Sequence, residues 1–181
     1  MTTAELENFW QGTLQRLARQ PMEAAVERVP EPLPYEKYRI TCRSLDGVAI
    51  RAYLARPVAG STRSEPLPAI ISAPGYGGWE QAVMLGECQR GYIVLQVFPR
   101  SQGESAALWQ IDGPDKLIWH LDAPEGYYYQ GAYADLIRGV DYLVSRPDVD
   151  ASRIGSIGVS QSGGMALAAS ALDHRIKAVA A

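Results

Sequence analysis

Histidine and cysteine are scarce in this chain, two of each in 181 residues, and the scarcity removes several classes of chemistry. Cys42 and Cys88 lie far apart and could bridge only if the fold brought them together, so two buried free thiols are expected. No set of His, Cys or acidic residues has the spacing of a metal site, and neither a Gly-x-Gly-x-x-Gly run nor a Lys-Ser/Thr phosphate loop occurs. No metal or organic cofactor is therefore expected. Lys and Arg are scattered and the formal net charge is −3, which leaves no electrostatic footprint for nucleic acid. No apolar run is long enough to span a bilayer, and Met1 to Glu7 shows no basic segment leading into an apolar one. These absences point to the cytoplasm and away from membrane and nucleic-acid partners.

What is present is a balance of 47% hydrophobic and 20% charged residues, the composition of one globular domain with a sizeable core. Residues 1–34 read as an N-terminal helix and connector, and 35–181 as the core portion. Thr2-Thr3-Ala4-Glu5 fits a capping box, and Leu6, Phe9, Trp10, Leu14 and Leu17 then recur on one helical face, predicting a helix that ends near Gln20-Pro21. Val29 to Pro34 is proline-rich and reads as an extended connector. Tyr35 to Cys42 and Val48 to Ala55 flank Ser44-Leu45-Asp46-Gly47 and predict a β-hairpin.

After a polar loop over Gly60 to Glu65 the pattern changes. Ala69 to Ala73, Tyr92 to Phe98, Arg153 to Val159 and Ile176 to Ala180 are short apolar runs, separated by helical lengths at Trp79 to Arg90, closed by Gly91, and at Gly131 to Val144. Strand and helix in alternation predict an α/β fold with a mostly parallel sheet and helices on both sides. Ser101 to Tyr129 fits neither period, and an irregular segment of that length is a lid-like excursion or a functional one. Its aromatics, Trp109, Trp119 and Tyr127-Tyr128-Tyr129, close over a sheet edge on one reading and line a substrate wall on the other.

One turn carries chemistry. Gly158-Val159-Ser160-Gln161-Ser162-Gly163-Gly164 sits where a buried strand gives way to a helix. A sharp turn there lifts a serine hydroxyl clear of the sheet, and a helix N-terminus favours negative charge beside it. The usual pattern is Gly-x-Ser-x-Gly, with Ser162 here in place of the closing glycine; the competing reading is an ordinary glycine-rich strand-to-helix turn. Pro74-Gly75-Tyr76-Gly77-Gly78 follows an earlier buried strand. Acyl transfer needs two N–H donors aimed at the oxyanion, one from the residue after the nucleophile and one from such a loop, which makes Gln161 and Tyr76 the candidates.

These motifs together resemble those of the acetyl xylan esterase and cephalosporin-C deacetylase group, carbohydrate esterase family 7, within the α/β-hydrolase fold. The resemblance runs over most of the chain. It takes in the opening helix and hairpin, the Gly75-Tyr76-Gly77-Gly78 loop and Phe98-Pro99-Arg100-Ser101-Gln102-Gly103, which is similar to the family's Arg-Gly-Gln motif. It continues through the tyrosine run before a helix containing Asp135 and Arg138, and ends in the Gly-x-Ser-Gln turn. It implies Ser160 as nucleophile, the amides of Tyr76 and Gln161 as oxyanion donors, and a structural role near the site for Arg100 and Gln102. Ser101 and Ser162 depart from the family by standing where it has glycine. The resemblance also implies a small acylated substrate, release of acetyl groups from carbohydrate esters, no cofactor and a homo-oligomer, commonly a hexamer.

In this fold the triad runs Ser, Asp, His in chain order. Twenty-one residues follow Ser160. Asp173 and His174 lie at the far end of the helix that starts at the serine turn, roughly 15 Å away for about ten residues, and His120 precedes the serine in the irregular segment. The acid and base are therefore expected outside this chain, which reads as a fragment ending after the strand that follows the nucleophile helix, or as one piece completed by a C-terminal partner. Two other readings stay open: a catalytically inactive hydrolase scaffold, and a dienelactone-hydrolase-like or peptidase-like enzyme.

Overall fold

The structure, a computed structural model, describes residues 2–58, 66–79 and 83–181. The loop expected over Gly60 to Glu65 lies outside the described residues.

Helix α1 (Thr3–Arg19) starts at the capping box read from the sequence: Glu5 N–H donates to Thr2 Oγ1 at 3.3 Å, and Thr2 N–H donates to Glu5 Oε2 at 2.6 Å. Two of the helix's orphan amides are thereby satisfied. Its other end is held from a distance, because the buried Arg138 donates to the carbonyls of Leu17 at 2.6 Å and Gln20 at 2.9 Å. These bonds stop the helix at Gln20 and dock it.

Strand β1 (Ala25–Val29) pairs antiparallel with β2 (Glu36–Arg43), which pairs antiparallel with β3 (Ala49–Arg56). The hairpin expectation holds, with Asp46 and Gly47 at positive φ in the turn. The sequence reading had no strand between α1 and the connector at Val29, and β1 corrects it. Four of its five residues are exposed and the fifth is half-buried, so no inside–outside alternation marks it; only pairing with β2 makes it a strand.

The rest alternates as expected: β4 (Leu67–Ser72), α2 (Val83–Gln89), β5 (Ile93–Phe98), α3 (Tyr128–Val144), β6 (Val149–Ile157), α4 (Gln161–Leu172) and β7 (Ile176–Ala180). The first residues of the helix expected from Trp79 fall partly in 80–82, outside the described residues. Gly91, at φ 91°, closes α2 in the left-handed conformation that suits glycine after a helix.

The seven strands form one sheet in the order β1-β2-β3-β5-β4-β6-β7, antiparallel through β3–β5 and parallel from β5 to β7. Every residue of β5 is buried, and period two splits them between two cores. Ile93, Leu95 and Val97 pack with Leu17 of α1, the buried face of α3, and Met165 and Ala169 of α4. Val94 and Phe98 face the other way, with Tyr53, Ala55 and Cys88. Each large side chain so buried contributes about 1.5–3 kcal/mol. Cys42 and Cys88 are both buried free thiols, as expected, and burial pushes each up to about 12.

On the second face α2 covers β5 through Cys88, and a cleft lies beside it. Pro68, Ile70, Tyr92, Gly155, Ile157 and Ala178 line a cleft of about 680 Å³, and β7 is exposed from Lys177 onward. No described helix is long and apolar enough to cross a membrane.

Candidate active site

The register of the parallel strands brings three loops to one edge of the sheet. Ser72, the last residue of β4, pairs with Gln96 of β5 and with Ile157, the last residue of β6. Chains leaving these neighbouring ends carry Tyr76 four residues on, Gln102 four residues beyond Phe98, and Ser160 three residues beyond Ile157. Open α/β sheets place their ligands at this carboxyl edge.

Ser160 has φ 60° and ψ −128° and is exposed, immediately before α4. A non-glycine residue in that region carries backbone strain of order 1–3 kcal/mol, tolerated where the surroundings over-determine it. Here they do so by contact. A Cβ on Gly158 would lie 2.3 Å from Ser162 Oγ and 2.4 Å from the Ser162 carbonyl group, so only glycine lets the end of β6 pass so close under the first turn of α4. The Gly164 N–H donates to the Ser160 carbonyl at 3.1 Å and closes that turn. Ser162, where the usual pattern has glycine, is buried and its hydroxyl has no hydrogen-bond partner among the described residues.

The Tyr76 loop is tied to this turn through side chains. Gln102, 2% exposed, donates from Nε2 to the Tyr76 carbonyl at 3.0 Å. Its Oε1 accepts from Gln161 Nε2 at 2.9 Å, and Gln161 Oε1 accepts from the Tyr129 hydroxyl at 2.9 Å. The two loops also touch backbone to backbone, since a Cβ on Gly78 would lie 2.7 Å from Gly103 N. The two candidate oxyanion residues, Tyr76 and Gln161, are thus bridged by Gln102. The sequence reading did not single out Tyr129 for the site beyond its place in an aromatic run, since its link to Gln161 spans 32 positions.

Arg100 lies beneath this layer. Its Nε and terminal nitrogen hold the two oxygens of Asp135 at 3.0 and 2.8 Å, its backbone N–H donates to the same carboxylate at 2.8 Å, and it also reaches the Leu45 carbonyl. Asp135 is fully buried and Arg100 nearly so, a forked charge-assisted pair that pins the end of β5 to α3. The Tyr128 hydroxyl donates to the Arg100 carbonyl at 2.9 Å. Ser101, where the resembled motif has glycine, sits at φ 62°, the left-handed region in which glycine is unstrained.

The irregular segment packs against these residues. Trp109 and Trp119 meet edge-to-face at 5.6 Å, with the Arg100 guanidinium 5.8 Å from the Trp109 ring, which is packing over the buried pair. Farther on, the Lys116 ammonium lies 4.2 Å from the Tyr76 ring centre, and a hydrogen bond with Asp115 is the largest influence raising the Tyr76 hydroxyl. Trp79 and Val159, the latter next to Ser160 in the chain, are exposed.

Of the two histidines, one stands at the far end of α4. His174 is exposed beyond the end of α4, whose twelve residues span about 18 Å. His120 is exposed and set against Trp119, ring centres 4.2 Å apart. Asp173 binds Arg175, which also reaches Asp141. Among the described residues no three His, Cys, Asp or Glu side chains gather as a metal site would require.

Comparison with known proteins shows the family and the fold. The family profile described as acetyl xylan esterase (AXE1) matches residues 2–181. Acetyl esterase Axe7A of Xylanibacter ruminicola is 23% identical over 98% of this chain and 42% of its own length. Among solved structures, an acetyl xylan esterase from Paenibacillus sp. R4 superposes with a TM-score of 0.82 at 29% identity, over 99% of this chain and 63% of that one. Acetyl xylan esterase 1 from a Thermoanaerobacterium species gives 0.84 at 21% identity, over 97% and 56%. The chain thus spans less than two thirds of these relatives.

Proposed function

The chain belongs to the acetyl xylan esterase family, and from that premise we propose that it carries the nucleophile and oxyanion half of a serine ester hydrolase that removes short acyl groups, acetyl foremost, from small carbohydrate or similar esters. The observation that carries the reading is the Ser160 turn. A strained, exposed serine heads α4 one strand away from the Tyr76 loop, and Gln102 ties the two together.

In this reading Ser160 Oγ loses its proton to a general base and attacks the ester carbonyl carbon. The carbonyl oxygen becomes an oxyanion that accepts hydrogen bonds from the Tyr76 and Gln161 amides, with the α4 N-terminus adding favourable dipole. Collapse of the tetrahedral intermediate expels the alcohol, and water then releases acetate from the acylated serine. Neither His120 nor His174 is assigned as base, because α4 separates His174 from Ser160 and His120 packs on Trp119. The acid and base come, in this reading, from polypeptide beyond these 181 residues. A homo-oligomer and a cytoplasmic setting belong to the same proposal.

The test is hydrolysis of p-nitrophenyl acetate beside labelling with a fluorophosphonate, each with Ser160→Ala as control. Hydrolysis and labelling that both vanish in the variant support the reading; labelling that persists in Ser160→Ala moves the nucleophile elsewhere. The separation of His174 from Ser160 by the length of α4 favours a second reading, an inactive scaffold, and a parent protein with neither signal would establish it.

A further inference from the structure

The three hydrogen bonds that join the Ser160 turn to Tyr76 have one permitted direction. The Tyr76 backbone carbonyl can only accept, so the Gln102 atom 3.0 Å away is the amide nitrogen and the Gln102 oxygen faces Gln161. An acceptor there requires the Gln161 nitrogen, which turns the Gln161 oxygen toward Tyr129. Reversing either amide would set acceptor against acceptor or donor against donor, the physical ground on which amide oxygen and nitrogen are told apart. The chain of bonds therefore needs a donor at its far end, and the Tyr129 hydroxyl is that donor.

We propose that Tyr129 is a positioning residue for acyl transfer at Ser160: by donating to Gln161 it sets both amides and holds the loop of one oxyanion donor against the turn that bears the other. The inference rests on the ester-hydrolase reading given above. The ring of Tyr129 is placed independently of its hydroxyl, with Tyr128, Tyr133 and Tyr127 ring centres at 5.1, 5.6 and 5.7 Å. Its helix is anchored one and a half turns later by the buried Asp135–Arg100 pair. Burial, the largest influence, pushes the hydroxyl up to about 12, so the proton to be donated is present throughout the neutral range. The relay crosses four pieces of chain, α3, the start of α4, the loop after β5 and the loop after β4, and no other described hydrogen bond between side chains links the first two of them at this edge.

Tyr129→Phe removes the donor and keeps the ring. With p-nitrophenyl acetate its kcat should fall about tenfold, less than the loss of an oxyanion donor itself, while KM stays within about twofold and the thermal midpoint falls by no more than about 5 °C. Gln161→Leu keeps the Gln161 backbone amide and should lose a similar factor, and the double variant should lose no more than the greater single loss, as members of one network do. An active parent whose Tyr129→Phe variant keeps kcat within about twofold, or whose two losses multiply, overturns the inference and leaves the ester-hydrolase reading standing. A readout free of activity is the ¹⁵N-edited spectrum of the side-chain amides. Gln102 and Gln161 should be protected from solvent exchange in the parent, and both should lose protection in Tyr129→Phe. Should the parent neither hydrolyse nor label, the ester-hydrolase reading fails, and Gln102 protection that persists in Tyr129→Phe would overturn the relay on its own.

Discussion

The two flanks of the Ser160 turn are built differently. On the β5 and α3 flank, polar groups are buried and cross-bonded: Arg100 forks onto Asp135, Gln102 spans Gln161 and Tyr76, and glycine backbones meet at Gly78 and Gly103. On the β7 flank the Gly158 N–H donates to the Ala180 carbonyl at 2.9 Å, yet Lys177 to Ala180 are exposed and the sheet face beside them is open. A buried polar network in a low-dielectric setting holds its members in one geometry because any other leaves a charge or amide unpaired. Backbone hydrogen bonding at an exposed edge imposes no such penalty, because water can take the place of a lost partner. The first flank is where the candidate oxyanion donors sit, and among the described residues the second gives the turn a strand partner anchored in the core by Ile176.

That contrast can be broken from either side. The largest effect is expected for Asp135→Ala, which leaves Arg100 buried without its counter-charge and should cost about 3–5 kcal/mol of stability, read as a lower urea midpoint with an unchanged slope. A loss below about 1 kcal/mol would mean that water or another carboxylate reaches Arg100, and that the flank is looser than its burial implies. Next comes Gly158→Ala, where the added methyl meets Ser162 and the first turn of α4 must shift. Overpacking of that kind costs about 1–3 kcal/mol, and a crystal structure of the variant should show Ser160 displaced from its positive φ. The smallest effect is expected on the other flank, where Lys177→Ala removes one exposed bond to the His174 carbonyl. Its stability should move by no more than about 0.5 kcal/mol, and a larger loss would show that the Lys177 bond contributes more than its exposure implies.

Much of the scaffold was legible without coordinates because its causes are local. The Thr2–Glu5 capping box declared the start of α1, the apolar run at Ile93 to Phe98, interrupted only by Gln96, declared a strand buried on both faces, and Asp46-Gly47 declared a reversal. Strand β1 was not legible, since exposure on both faces erases the alternation that reveals a strand, and its existence depends on partners sixteen or fewer residues downstream in β2. The serine turn could be read from its glycines. Its supports could not, because Asp135 lies 35 positions from Arg100, Gln102 lies 59 from Gln161, and nothing in the intervening chain ties either pair.

The chain's own residues determined the alternation of elements and the residue types at the turn, which follow from periodicity and capping within short windows, while the family showed in the resemblance of whole motifs to known ones. Only the tertiary structure decided that Tyr76, Gln102, Tyr129 and Ser160 share one edge of the sheet. That outcome depends on strand order and register, which arise from packing apolar faces across the whole domain rather than from any single segment.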